Sequence, residues 1–333
     1  MDFDLTEDQK EIKSTARSLL AARSPWTKVR EASESGAYDD ALWKEMAALG
    51  WPGIAVAEEH GGQALGSVEL AAVLEELGYA CAASPFLSTA AAASVIQAHG
   101  TDDQRSRWLP GLASGEQTAG VGRRGLVADA VDAAVIVVLE DDGSVTLLAR
   151  DDADVSELQT VDGTRRTGRV DGGEGEPLGG GADRVYAAVA AEVVGLAQRA
   201  LDMTLEYVKD RKQFGVPVGS FQAVGHRCAE MLRAVEAARS TVYFAAWAVD
   251  ADPERRPEAA ALAAAAAADG GRDVTAAAIQ AHGGIGFTWE ADVHWMYKRA
   301  QLDAQLLGGS RRHRAALARI GGARVAQAGV AAA

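Results

Sequence analysis

A chain of 333 residues suffices for one large domain or two or three small ones, and 48% hydrophobic residues allow a sizeable core. A formal charge of −14 excludes the basic face that nucleic-acid binding requires. The longest apolar stretch, Ala259 to Ala268, is too short to span a bilayer, and the acidic start MDFDLTEDQK lacks a signal-peptide core, so a soluble cytoplasmic protein is expected.

Thr6 and Gln9 have the spacing of a capping box, and Ile12, Ala16, Leu19 and Leu20 follow at helical intervals. A second helix is expected through Asp40 to Leu49, stopped at Gly50. Glu58 to Gly66 reads as a Gly-rich loop, and Ser67 to Ala80 resumes the helical period. Cys81 and Cys228 stand far apart and read as buried, reduced thiols. Thr101 opens a short helix over Asp102 to Leu109 that should end near Pro110. Residues 1–119 are therefore expected to be a helical domain.

The texture changes at Gly120. Ala133 to Arg150 holds two Val-rich runs around Asp142-Gly143, a hairpin signature. Gly, Asp and Thr dominate through Gly181, so residues 120–183 read as a small, shortened β-domain. Helical periodicity returns over 184–333. Val189, Leu196, Ala200 and Met203 mark one face of a helix ending near Arg211. Ser220 is expected to cap the next, with Phe221, Val224, Cys228, Leu232, Val235 and Val242 as its buried stripe. Pro257 fits the first turn of a third helix through Gln280, and a fourth is expected from about Glu290 to Leu307. Long helices with short connections pack as a bundle. The basic run Arg311 to Arg314 reads as the solvated start of the last helix; cations there oppose the helix dipole, so the alternative is an anionic neighbour.

Two segments carry chemistry. In Arg211-Lys212-Gln213-Phe214-Gly215, Arg211 offers a planar fork for phosphate, Gln213 can pair with phosphate or base edges, and Phe214 presents a face for a nucleobase. The alternative is a helix end in which Arg211 and Lys212 answer the dipole. In QAHGGIGF (Gln280 to Phe287), glycines let backbone N–H groups approach an anion; the alternative is a plain helix cap and turn. His282 reads as a hydrogen-bonded residue rather than a base. The strand, Gly-rich loop, helix order of a nicotinamide site is not found there.

In this order, with long helices between, the two motifs resemble the acyl-CoA dehydrogenase family. The resemblance extends to GWPGIAVAEEHGG (Gly50 to Gly62), TDDQRSRWLPGLASGE (Thr101 to Glu116), VVGLAQRALD (Val193 to Asp202) and DRKQFGVPVGSFQAVGHRCAEM (Asp210 to Met231). It implies a mainly α fold: an N-terminal helical domain, a middle β-domain and a C-terminal four-helix bundle. It also implies FAD, oligomers, and α,β-desaturation of an acyl-CoA thioester, in which a carboxylate removes the α-proton and hydride passes from the β-carbon to the flavin. Carried over, Arg211, Gln213 and Phe214 would hold the pyrophosphate and adenine end of a partner subunit's FAD, and Gln280, Gly283 and Gly284 would complete that cradle.

Three departures stand against the pattern. The usual catalytic Glu falls on Gly308. Arg184 to Ala191, where some members keep the Glu, has no carboxylate. The segments that flank the flavin ring are missing from the short middle domain. Glu192 shares the apolar face of its helix with Val189 and Leu196, so it is the remaining candidate base; pairing with an Arg such as Arg199 is the alternative. Asp303 and Glu290 are expected to be solvated. The leading expectation is a short subunit of a heteromeric enzyme, a heterotetramer with a longer acyl-CoA dehydrogenase homologue that keeps the base. Such a complex would act on an acyl-CoA, of the steroid side-chain type by resemblance to actinobacterial enzymes, and pass electrons to a separate acceptor. The alternatives are a self-sufficient enzyme using Glu192, or a scaffold without cofactor.

Overall fold

The computed structural model describes residues 4–140 and 143–331, with side chains to 326. Helix α1 (Glu7–Arg23) begins with the expected capping box: Gln9 N donates to Thr6 Oγ1 at 3.2 Å and Thr6 N donates to Gln9 Oε1 at 2.9 Å. Helices α2 (Trp26–Ser35), α3 (Asp40–Ala48), α4 (Ser67–Ala80), α5 (Phe86–His99) and α6 (Asp102–Ala113) follow. Pro110 does not stop α6. It sits near the end, where it removes few backbone bonds, and Leu109, Leu112 and Ala113 gain burial in the N-terminal core.

Strands β1 (Ala119–Arg123), β2 (Leu126–Ala128), β3 (Val135–Leu139), β4 (Val145–Ala149), β5 (Val155–Leu158), β6 (Thr167–Val170) and β7 (Glu176–Leu178) form one sheet in the order β5-β6-β2-β1-β3-β4-β7. β1 and β3 are parallel; the other pairs are antiparallel. The expected hairpin is β3–β4, although Asp142 of its turn lies outside the described residues. Alternation divides β3 between two cores. Val135, Val137 and Leu139 join the helical core, while Ile136 and Val138 meet Leu148 and Val170 on the other face. Sheet and helices are also joined by Tyr38: its hydroxyl accepts from Arg166 N at 2.8 Å and donates to Asp129, to which Ser88 on α5 also donates.

The remaining helices are α7 (Ala182–Asp210), α8 (Gln222–Ala251), α9 (Arg256–His282), α10 (Val293–Leu306) and α11 (Ser310–Ala331). Three expectations need correction. Ser220 does not cap α8: its hydroxyl donates to Pro217 O, and Phe221 takes the cap position without a side-chain bond. The buried stripe of α8 runs through Cys228, Met231, Val235, Ala238 and Val242, leaving Phe221 and Leu232 exposed. Helix α10 starts at Val293, because Thr288 accepts from Glu290 N and holds an irregular turn ahead of it. Both cysteines are free and buried. No helix among the described residues is long and apolar enough to cross a membrane.

Helices α4 and α7 cross in backbone contact through two glycines. A Cβ on Gly195 would lie 1.9 Å from Glu75 O, and one on Gly78 would lie 2.0 Å from Glu192 O. This crossing fixes the height of Glu192 in the interior. Gly195→Ala should therefore destabilise the chain by about 1–3 kcal/mol, the usual cost of overpacking. A fall in the urea midpoint at unchanged m-value would register it; an unchanged midpoint would show that the crossing can spread at no cost.

Candidate functional site

Arg211 closes α7 in an extended conformation, and the chain then forms a small hairpin of β8 (Lys212–Gln213) and β9 (Val216–Pro217). Its two turn residues, Phe214 and Gly215, both have positive φ, +52° and +82°. For a bulky residue this conformation costs about 1–2 kcal/mol. It holds the Phe214 ring outward, 93% exposed, with Phe221 packed edge-on 6.2 Å away. Arg211 and Gln213 are exposed beside it; Gln213 Nε2 donates to Lys212 O.

The second motif lies at the same end of the bundle. Tyr207, in the last turn of α7, stacks on His282, in the last turn of α9, with ring centroids 4.5 Å apart. His282 is buried, bonds to Ala278 O at 2.8 Å through Nδ1, and has its pKa lowered by burial. Gln280, Gly283 and Gly284 are exposed, and a Cβ on either glycine would meet nothing within 4 Å. Phe287 and Trp289 follow, each 73% exposed. An exposed phosphate-type fork, an outward aromatic face and an open glycine turn fit the diphosphate and adenine end of FAD.

The position at which the resemblance expects the catalytic Glu is built otherwise. Gly308 and Gly309 end α10 with φ +80° and +74°, their N–H groups donating to Gln305 O and Ala304 O. A Cβ on Gly308 would lie 3.4 Å from Arg312 Cδ and 3.9 Å from Arg123 Cδ. The space a carboxylate would enter is thus lined by two arginine side chains. Beside it, His313 is buried rather than solvated: it bonds to Leu307 O at 2.6 Å and stacks edge-on with Tyr186 at 4.6 Å. Arg314 pairs with Asp269 on α9, an anionic neighbour of the kind the helix dipole asks for.

Glu192 is fully buried and doubly paired. Arg165, from the β5–β6 connection, donates to its Oε1 at 2.7 Å, and Arg299 on α10 donates to the same atom at 3.1 Å. Arg199 is not its partner. Arg299 also donates to Asp162 and, at 2.9 Å, to Thr164 O. Burial alone would raise the Asp162 pKa, but Arg299 and Thr164 outweigh it and hold the group below its ordinary value. Asp303, expected in solvent, is instead fully buried, one turn after Arg299. Neither of its oxygens accepts a hydrogen bond, and Arg165 Nη1 lies 3.5 Å away. Burial, then the neighbouring Glu192, push its pKa well above the carboxylate range. With Asp303 protonated, two guanidinium groups face two carboxylates. Glu290 is exposed, as expected. Sequence reasoning missed this cluster; the available signal was Arg299 and Asp303 four apart among Met296, Ala300 and Leu302.

Residues 6–116 match the acyl-CoA dehydrogenase N-terminal domain and residues 184–321 the acyl-CoA dehydrogenase C-terminal domain. The chain is 38% identical over 309 residues to acyl-CoA dehydrogenase IpdE2 of Mycobacterium tuberculosis, covering 90% of this chain and 93% of that protein. The fold is similar to that of the Tcur3481-Tcur3483 steroid ACAD G363A variant, with TM-score 0.86 and 27% identity over 96% of this chain and 99% of that one. It is also similar to the ChsE4-ChsE5 complex from Mycobacterium tuberculosis, with TM-score 0.84 and 28% identity over 96% and 98% of the two chains. The chain belongs to the acyl-CoA dehydrogenase family.

Two substitutions separate the roles of the buried acids. Glu192→Gln removes the charge both arginines face and should cost about 3–5 kcal/mol, as breaking buried pairs does. Asp303→Asn should stabilise the protein at pH 7. The group's pKa is higher in the folded than in the unfolded chain, so it favours folding below its unfolded pKa and loses that contribution as pH rises towards its folded pKa. The advantage of Asn over Asp should accordingly shrink towards pH 4 in denaturant titrations. A gain that grew with acid would reverse the assignment.

Proposed function

We propose that this chain is the short subunit of a heteromeric acyl-CoA dehydrogenase, pairing with a longer homologue that supplies the catalytic carboxylate. The observation that carries the reading is Gly308: the family's base position holds a residue without a side chain, at positive φ, facing Arg123 and Arg312. When bound, FAD accepts the hydride that leaves the β-carbon of the thioester. This chain's part is to bind. Arg211 and Gln213 hold the diphosphate, Phe214 covers the adenine, and Gln280, Gly283 and Gly284 close the cradle on a cofactor whose ring lies in the partner. The exposure of all six supports this reading, since they are available to a second subunit.

Glu192 is a structural acid here. A base must reach the α-carbon with a free lone pair, whereas both guanidinium groups hold this carboxylate. Its own acyl site is vestigial, with Tyr186, His313 and the two arginines closing the space before Gly308. The substrate class is an acyl-CoA of the steroid side-chain type, supported by the similar fold of a protein titled a steroid ACAD, and electrons leave to a separate acceptor. The division at residues 119 and 183 gives a helical domain, a reduced β-domain and a bundle, and the protein works in the cytoplasm as a heterotetramer.

The test is flavin stoichiometry. Purified alone, the chain should hold little FAD and show no desaturation. Coexpressed with a longer homologue carrying the Glu, it should give an active complex with fewer flavins than subunits. Arg211→Ala and Phe214→Ala should each lower FAD affinity of that complex at least about tenfold, a loss of 1.4 kcal/mol. Full flavin occupancy with desaturase activity from the lone chain would refute the proposal.

A further inference from the structure

His294 and Lys298 lie four residues apart on α10, so they project from one face of that helix. His294 is 8% exposed, yet neither ring nitrogen has a hydrogen-bond partner among the described residues. A neutral imidazole carries one donor and one acceptor, and a buried polar group left unmet costs about 1–3 kcal/mol. Such a group in a native fold calls for a ligand or partner. Lys298 shows a matching lack. Among the described residues it has no carboxylate within 4 Å, and two indole rings hold its Nζ, at 3.9 Å from the Trp289 centroid and 4.7 Å from that of Trp295. Of the other charges nearby, Arg30 and Asp292 pair with each other at 2.8 Å, and Asp162, which attracts the Lys298 ammonium from a distance, is held by Arg299. Local balance thus leaves one unpaired cation beside one unpaired N–H. Trp289 packs edge-on against the imidazole at 5.0 Å but is itself 73% exposed, so the cover is held by few contacts.

We propose that His294 and Lys298 form an oxyanion-binding subsite under Trp289, taking a carboxylate, sulfate or phosphate group. The ammonium supplies the charge, the imidazole N–H the direction, and Trp289 swings aside to admit the anion. The source is either a free anion or an acidic side chain of a partner subunit; the site itself does not rest on the heteromer reading. Binding is coupled to a proton. In the free chain burial, then the Lys298 charge, lower the His294 pKa to about 4, with Arg30 adding to them and Asp292 and the residue's own backbone opposing. An anion in the site offsets that, so the imidazole gains a proton on binding. Affinity therefore rises as pH falls from 8 towards 6.

The experiment follows the His294 Cε1–H resonance in the full chain, assigned by its loss in His294→Phe. Sodium sulfate is titrated against sodium chloride at matched ionic strength. Sulfate should shift the resonance saturably, with a Kd of roughly millimolar order that tightens on acidification and weakens at least about tenfold in Lys298→Met. His294→Phe fills an aromatic cluster, so it should fold normally and serves to assign the resonance. In the purified heteromer, a resonance already shifted and insensitive to sulfate, with assembly weakened by Lys298→Met, identifies a partner carboxylate. A heteromer that titrates like the lone chain identifies a free anion. A resonance unmoved by about 50 mM sulfate in both forms, with assembly indifferent to Lys298→Met, overturns the proposal.

Discussion

Arg165 and Arg299 meet Asp162, Glu192 and Asp303 in the interior, and the seating of the sheet against the bundle depends on that meeting. Arg165 and Asp162 come from the β5–β6 connection, Glu192 from α7, Arg299 and Asp303 from α10. A connection of this kind has too few apolar side chains to anchor itself. Charge pairing replaces them, and it works because each arginine brings several donors in a rigid plane. Arg299 alone reaches Asp162, Thr164 and Glu192. Buried ion pairs gain little net stability over apolar packing, but removing one partner costs a great deal. The arrangement therefore serves better to fix one position of the sheet than to hold the fold together.

The glycine crossing of α4 and α7 makes that pairing possible. Because Gly78 and Gly195 let the two backbones touch, α7 carries Glu192 into a layer that also holds Cys81, whose thiol burial pushes up to about 12. A methyl group on either glycine would push the two helices apart and shift Glu192 relative to both arginines.

The helical parts were legible because their apolar residues recur at helical intervals and their ends carry caps: the Thr6 capping box and the Ser67–Ala80 span are found as expected. The two motifs proposed to bind could be located by composition, since exposed fork, aromatic and glycine residues need no tertiary context. What stayed hidden is what tertiary context decides. Asp303 looks like a surface acid until the β5–β6 connection, distant in sequence, is packed over it, bringing Arg165. The stripe of α8 shifted because Met231 and Ala238 are small or adaptable enough to share the inner face, whereas Phe221 lies at the frayed entry to the helix. His294 gave no signal, since an isolated histidine acquires meaning only from the partners it lacks.

Solvent exposure separates the two kinds of residue that this family's chemistry requires. Groups that grip a cofactor tail can sit on the surface of one subunit, because a second subunit completes their burial. A proton-abstracting carboxylate cannot, since its pKa must be raised by a dry cavity of its own. On the proposed reading, a subunit relieved of catalysis keeps the first kind and fills the cavity of the second. Arginine is a natural filler there, with a long apolar stem to occupy the volume and a head that opposes any anion except one that neutralises it. A carboxylate restored at residue 308 would still meet Arg312 and Arg123 in a backbone region suited to glycine, so the lost base cannot return by one substitution. The strained, outward Phe214 is the opposite case: Phe221 packs edge-on against a ring that is otherwise exposed, and on the proposed reading the cost is recovered where a second surface covers it.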